Sequence, residues 1–215
     1  MRPERSVYQI ALDLLEAQIR KGLPAARWVG CDSAFGVDKQ FRDAVDGWGK
    51  WYLAEIKSSM VVWPAVDGEE NKEQKSRAVS QIAQSEDTEW ERVVLAEGSK
   101  GPITADVSLR RVRENVPDKK RAGKEQWLVI RRLENGRLKY YYSNAPEEVS
   151  HAELQRALLM RWPIEQCFED GKRYLGMDHY EHRTWKSWHR HMLYVFLAQL
   201  FLLRVRLGYK KKFPL

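Results

Sequence analysis

The sequence has little cysteine. Cys31 and Cys167 are its two cysteines, far apart and in no metal-ligand spacing. That excludes a disulfide framework and fits a reducing compartment. The N-terminal residues lack the apolar stretch of a secretory signal. Long apolar runs are also missing. The longest, Met192 to Leu203, is interrupted by Gln199 and falls short of the roughly 20 residues a membrane span needs. It is expected to be a buried core helix. His179, His182, His189 and His191 cluster in sequence without the Cys or carboxylate neighbours of a zinc site, so surface or packing roles are expected. There is no internal repeat and no low-complexity segment.

What is present is a 215-residue chain, long enough for a full domain with its own core. Lys and Arg total 37 against 30 Asp and Glu, a net charge of +7. A basic excess favours polyanionic partners, nucleic acid or an anionic surface. Nine Trp serve cores, interfaces or base stacking. For Trp90 and Trp127, core packing is the preferred reading.

Hydrophobic spacing predicts the elements. Val7, Ile10, Leu14, Leu15 and Ile19 form one helical stripe that Gly22 and Pro24 end. Arg27 to Cys31 reads as a buried strand ending at Asp32, residues 33 to 46 as a helix, and Trp51 to Ile56 as a second strand. The front of the chain is therefore an α/β pattern. Residues 64 to 85 are charge-rich and predict a solvated loop. Arg92 to Ala96 and Thr104 to Arg113 are expected strands about a Gly98-Ser-Lys-Gly-Pro102 turn. Trp127 to Leu133 and Arg137 to Tyr142 flank Glu134-Asn-Gly136, a hairpin signal. Ser150 and Glu153 have capping-box spacing and predict a helical region to about Tyr174, with a kink or restart at Pro163. Trp185 to about Leu207 is a last helix, apolar on most sides.

Two places could carry chemistry. Asp32 lies at the C-terminal end of a strand, where ligand sites of open α/β sheets collect. It could equally N-cap the next helix. On an unbroken helix, Arg161 and Lys172 fall about 40° and about 20° from Glu165. That narrow face could also be a solvated one with an Arg–Glu pair. One carboxylate on a strand and one on a late helix suit Mg²⁺, which takes oxygen ligands and leaves positions for water and phosphate. Two such ions can activate the attacking oxygen and stabilise the leaving oxygen of an in-line displacement at phosphorus.

At this point the residues resemble a family. Trp28-Val-Gly-Cys-Asp-Ser-Ala-Phe-Gly36 is similar to the segment around the second catalytic Asp of DDE insertion-sequence transposases. Arg161-Trp-Pro-Ile-Glu-Gln-Cys-Phe-Glu-Asp-Gly-Lys172 is similar to their Glu segment, with the spacing of the Tyr-Arg-Glu-Lys signature. That signature has Tyr where this chain has Leu158. Gly98 to Pro102, Tyr140 to Pro146 and Leu175 to Trp185 extend the likeness over nearly the whole chain.

The resemblance implies an α/β fold: a truncated RNase H-like core, a β-rich insertion between the second Asp and the Glu, then C-terminal helices. It divides the chain into a partial core (1–60), the insertion (61–148) and helices with Glu165 (149–215). It makes Asp32 and Glu165 catalytic, metal-binding acids for Mg²⁺. It makes Arg161, Lys172 and Lys100 phosphate contacts. Element-end and target DNA are the implied partners, with a homodimer as the allowed assembly and no membrane. The implied setting is the bacterial cytoplasm, at the nucleoid. The family's first Asp has no matching segment here, since 31 residues precede Asp32. The expectation is a truncated chain, inactive alone.

Two other readings remain. Glu55-Ile-Lys57 on a strand, with Asp43 and Asp46 before it, has the spacing of restriction-type nucleases. A non-catalytic protein that binds DNA or a partner is the other. The basic stretch Arg110, Arg111, Arg113, Lys119, Lys120, Arg121 and Lys124 would serve phosphate contact or solvation. Lys210, Lys211 and Lys212 read as a tail.

Overall fold

A computed structural model describes residues 5–22, 26–65, 75–98, 101–116, 121–181 and 183–212. It divides into two compact units, Met1–Leu159 and Met160–Leu215.

The first unit is mixed α/β. Its elements run α1 (Val7–Arg20), β1 (Trp28–Cys31), α2 (Ser33–Gly36), α3 (Lys39–Gly47), β2 (Trp51–Ile56), β3 (Val61–Pro64), β4 (Arg77–Ala78), α4 (Val79–Ala83), β5 (Glu91–Gly98), β6 (Gly101–Val116), β7 (Arg121–Arg132), β8 (Leu138–Ser143) and α5 (His151–Ala157). One eight-stranded sheet has the order β1-β2-β8-β7-β6-β3-β4, with β5 also on β6. Among the described residues only β1 and β2 pair in parallel, Cys31 opposite Ala54, with α2 and α3 as the crossover. Every other pairing is antiparallel. The sheet is continuous past residue 60, because β2 pairs with β8, Glu55 opposite Tyr141.

Period-2 alternation gives the sheet its core face. Ala54, Tyr142, Leu128, Ile130, Tyr140, Val112 and Val62 turn to one side and pack with Phe41, Val45, Val79 and Ile82 from the helices. The Asn-Gly signal is realised: Leu133 and Arg137 close the β7–β8 turn, and Gly136 takes φ +77°. Gly98 pairs with Gly101 at the β5–β6 turn.

Two expectations change, and a third holds. The helix expected over 33 to 46 is two helices, because Asp38 caps a fresh start by accepting from Phe41 N at 2.7 Å. Part of the expected solvated loop at 64 to 85 is core: Val79, Ile82 and Ala83 of α4 are buried. Ser150 does cap α5, accepting from Glu153 N at 3.3 Å. Glu153 Oε1 also accepts from Trp28 Nε1 at 3.0 Å.

The second unit is a pair of helices, α6 (Trp162–Leu175) and α7 (Trp185–Lys212). Pro163 in the first turn restarts the helix as expected, and Gly176 at φ +63° ends α6. Gln199, the break in the apolar run, donates from Nε2 to the Cys167 carbonyl at 2.6 Å. Gly171 is buried here, and a Cβ on it would lie 2.8 Å from Met177 Cε.

The expected buried core helix is the main correction. Of the large side chains on α7, Val195 is buried while Leu193, Tyr194, Phe196, Leu197, Leu200, Phe201, Leu202 and Leu203 are exposed. Trp185–Tyr209 is, by length and composition, the one helix among the described residues apolar enough to cross a membrane, and 6% of its most apolar window is buried. The sequence excluded a span by its uncharged run alone. A helix of this length tolerates a few basic residues within it, so length and mean composition admit a span that the uncharged run did not.

Candidate functional site

Asp32 follows β1 directly and stands at the C-terminal end of the parallel pair. It is half-buried. Its Oδ1 accepts from Ala34 N at 3.1 Å, so the capping role is present. Its backbone carbonyl accepts from Phe35 N at 3.2 Å and from Gly36 N at 2.7 Å. The turn carrying Asp32 is pressed flat on β2. A Cβ at Gly36 would sit 2.1 Å from the Glu55 carbonyl oxygen, so only glycine permits this approach.

Below that turn lies a charged group that sequence reasoning missed. Arg42 on α3 is 4% exposed, and its Nη1 donates to the Gly36 carbonyl at 2.7 Å. Its Nη2 donates to Glu114 Oε1 at 2.7 Å, and Lys39 Nζ lies 3.1 Å from Glu114 Oε2. Burial would lower the Lys39 ammonium, but its bonds to Asp43 and Glu114 outweigh that and hold it above its ordinary value. The signal was available: Glu114 stands two residues after core-facing Val112, and a buried acid requires a partner. The partner itself, 72 residues away, was not legible.

Glu165 occupies the first turn of α6, where a carboxylate suits the helix dipole. Arg161 Nη2 donates to Glu165 Oε1 at 2.9 Å. Lys172 is exposed on the same unbroken helix, so the predicted phase between Glu165 and Lys172 holds. Asp32 lies in the first unit and Glu165 in the second. Lys100, Lys119, Lys120 and His182 fall outside the described residues, as do the side chains of Arg121, Lys210, Lys211 and Lys212.

Both acids offer the hard oxygen donors that Mg²⁺ takes, and the protein engages one named oxygen of each, Asp32 Oδ1 and Glu165 Oε1. The donor chemistry fits. Among the described residues no three His, Cys, Asp or Glu side chains gather into a metal-holding group.

The three acids of the rival nuclease reading are ion-paired. Glu55 lies 3.2 Å from Lys139 Nζ, and Lys57 is exposed. Asp43 pairs with Lys39, and Asp46 with Lys124 at 2.7 Å. Burial would raise the Asp46 carboxyl, but Lys124 and Asn144 outweigh it and hold it below its usual value. Trp127 is buried, and Trp90 packs on the core beneath Arg132, 3.9 Å from its ring centre. Both meet the core-packing expectation.

Comparison with models of protein families and with curated proteins found no match for this chain.

Proposed function

We propose that these residues are part of a DDE-type DNA transposase with an RNase H-like core, holding two of its metal-binding acids, Asp32 and Glu165. One observation carries the reading. An acid stands at the C-terminal end of a parallel strand beside a βαβ crossover, where phosphate and metal sites of α/β sheets collect. The helix bearing Glu165 and Lys172, with Arg161 at its N-cap bonded to Glu165, supports it. Bound Mg²⁺ would polarise phosphate and activate the attacking hydroxyl. Asp32 and Glu165 would hold it, and Lys172 would meet the DNA backbone. Arg161 steadies Glu165.

A second reading is DNA binding without cleavage, which the basic excess of the sequence supports. Catalysis by positioning tolerates little misplacement of a metal ligand.

Fluorescence anisotropy with a duplex, over a salt series, tests both parts. The expected result is binding whose affinity falls steeply with salt, with no Mg²⁺-dependent nicking. Lys172→Ala should weaken binding and reduce the salt slope by about 1. Cleavage by the chain alone would overturn the non-catalytic part. Absence of any salt-dependent binding would overturn the DNA reading.

A further inference from the structure

We infer that Arg42, anchored by Glu114, is a positioning residue for Asp32. The inference rests on Asp32 being a metal-binding acid. The path is continuous. The Glu114 carboxylate on β6 accepts from Nη2 of Arg42, and Nη1 of the same guanidinium donates to the Gly36 carbonyl. Gly36 N in turn donates to the Asp32 carbonyl at 2.7 Å. Gly36 closes the one-turn helix that Asp32 opens, so fixing its carbonyl fixes the turn from its far end.

The chemistry requires arginine. A guanidinium donates in two directions from one rigid plane, whereas an ammonium is a single point on a flexible stem. Both partners are nearly sealed from water, Arg42 at 4% and Glu114 at 8% side-chain exposure. Screening there is weak. The arrangement also gives β6 a role. A strand from the middle of the chain sets the backbone of an acid near its start. Groups that orient a metal ligand from behind matter to metal affinity almost as much as the ligand does.

Breaking one half of a buried ion pair risks unfolding, so the test replaces both halves. Arg42→Met with Glu114→Leu removes the two charges together, a change that folds often tolerate. It leaves the Gly36 carbonyl without its guanidinium. Leu154→Ala, a core truncation on α5, is the stability control. Two readouts are taken on the full chain: hydrogen exchange at the Phe35 and Gly36 amides, and Mn²⁺ affinity from paramagnetic broadening of the Asp32 to Phe35 signals.

The expected result is at least tenfold faster exchange at these two amides and about tenfold weaker Mn²⁺ binding in the double variant. Leu154→Ala should leave both as in the parent, and Arg42→Lys should recover part of each. Unchanged Mn²⁺ affinity in the double variant would overturn the inference. If the parent binds no Mn²⁺ at these signals, the metal reading of Asp32 falls. Exchange then decides alone whether Arg42 holds the turn, and unchanged exchange would overturn that as well.

Discussion

The Trp28 indole N–H donates to Glu153 Oε1 at 3.0 Å, which joins β1 to the first turn of α5 across 125 positions of sequence. The same Trp28 ring meets Trp51 edge to face, with centroids 5.3 Å apart. Trp28→Phe keeps an aromatic ring but removes the donor. A hydrogen bond to a charged acceptor is worth roughly 1.5–3 kcal/mol, and partial exposure places this one near the lower end. Urea unfolding should show a loss of about 1.5 kcal/mol, and Glu153→Gln should cost less.

Gly36→Ala should be far worse than its size suggests. The new methyl would lie 2.1 Å from a backbone oxygen of β2, and backbone cannot swing aside as a side chain can. A loss of about 3 kcal/mol or more is expected, from overpacking at the tightest contact of the α2 turn. A melting temperature within two degrees of the parent would refute this close approach.

Alkaline pH should unfold the first unit. Burial is the largest influence on Tyr52 and Tyr142, and it pushes both hydroxyls well above their ordinary value of 10.0, with Arg42 opposing. The unfolded chain deprotonates near 10 while the folded one does not. The stability these groups contribute is therefore complete below about pH 10 and declines as pH rises through the raised folded values. Tyr142 is the cleaner test, since its buried hydroxyl has no partner among the described residues. Tyr142→Phe should match or exceed the parent at pH 8 and lose less stability between pH 10 and pH 11.

The exposed face of α7 makes a contrast within one helix. Val195 is 4% exposed and Phe201 65%. Val195→Glu buries an unpaired charge and should cost several kcal/mol, about 3 or more. Phe201→Glu should change stability by roughly 0.5 kcal/mol or less and should raise solubility, since large exposed apolar patches drive association. Equal thermal penalties from the two changes would show that Phe201 is packed.

Much of the fold was legible because it rests on local rules. Short apolar runs marked β1, β2 and the two strands of the β7–β8 hairpin, since a buried strand needs only a few apolar residues in a row. Asn135-Gly136 marked the turn, since only small or flexible residues take φ above zero there. Pro163 marked the restart of α6, since it lacks the N–H a helix interior needs. Asp32 and Glu165 were placed on a strand end and a helix for the same reasons.

What sequence could not supply was anything depending on distant partners. The charge-rich look of residues 64 to 85 hid α4, because three buried side chains suffice to dock a short helix and leave its neighbours polar. The apolar run of α7 fixed a helix but not its burial, which depends on what packs against it. Glu114 was not singled out in sequence, and only the sheet brings it to Arg42 on α3. Composition and periodicity determined which elements form and where the candidate acids stand along the chain. Tertiary structure alone decided which charges are buried together, because pairing across 72 residues is set by how strands and helices stack and not by any local preference of the chain.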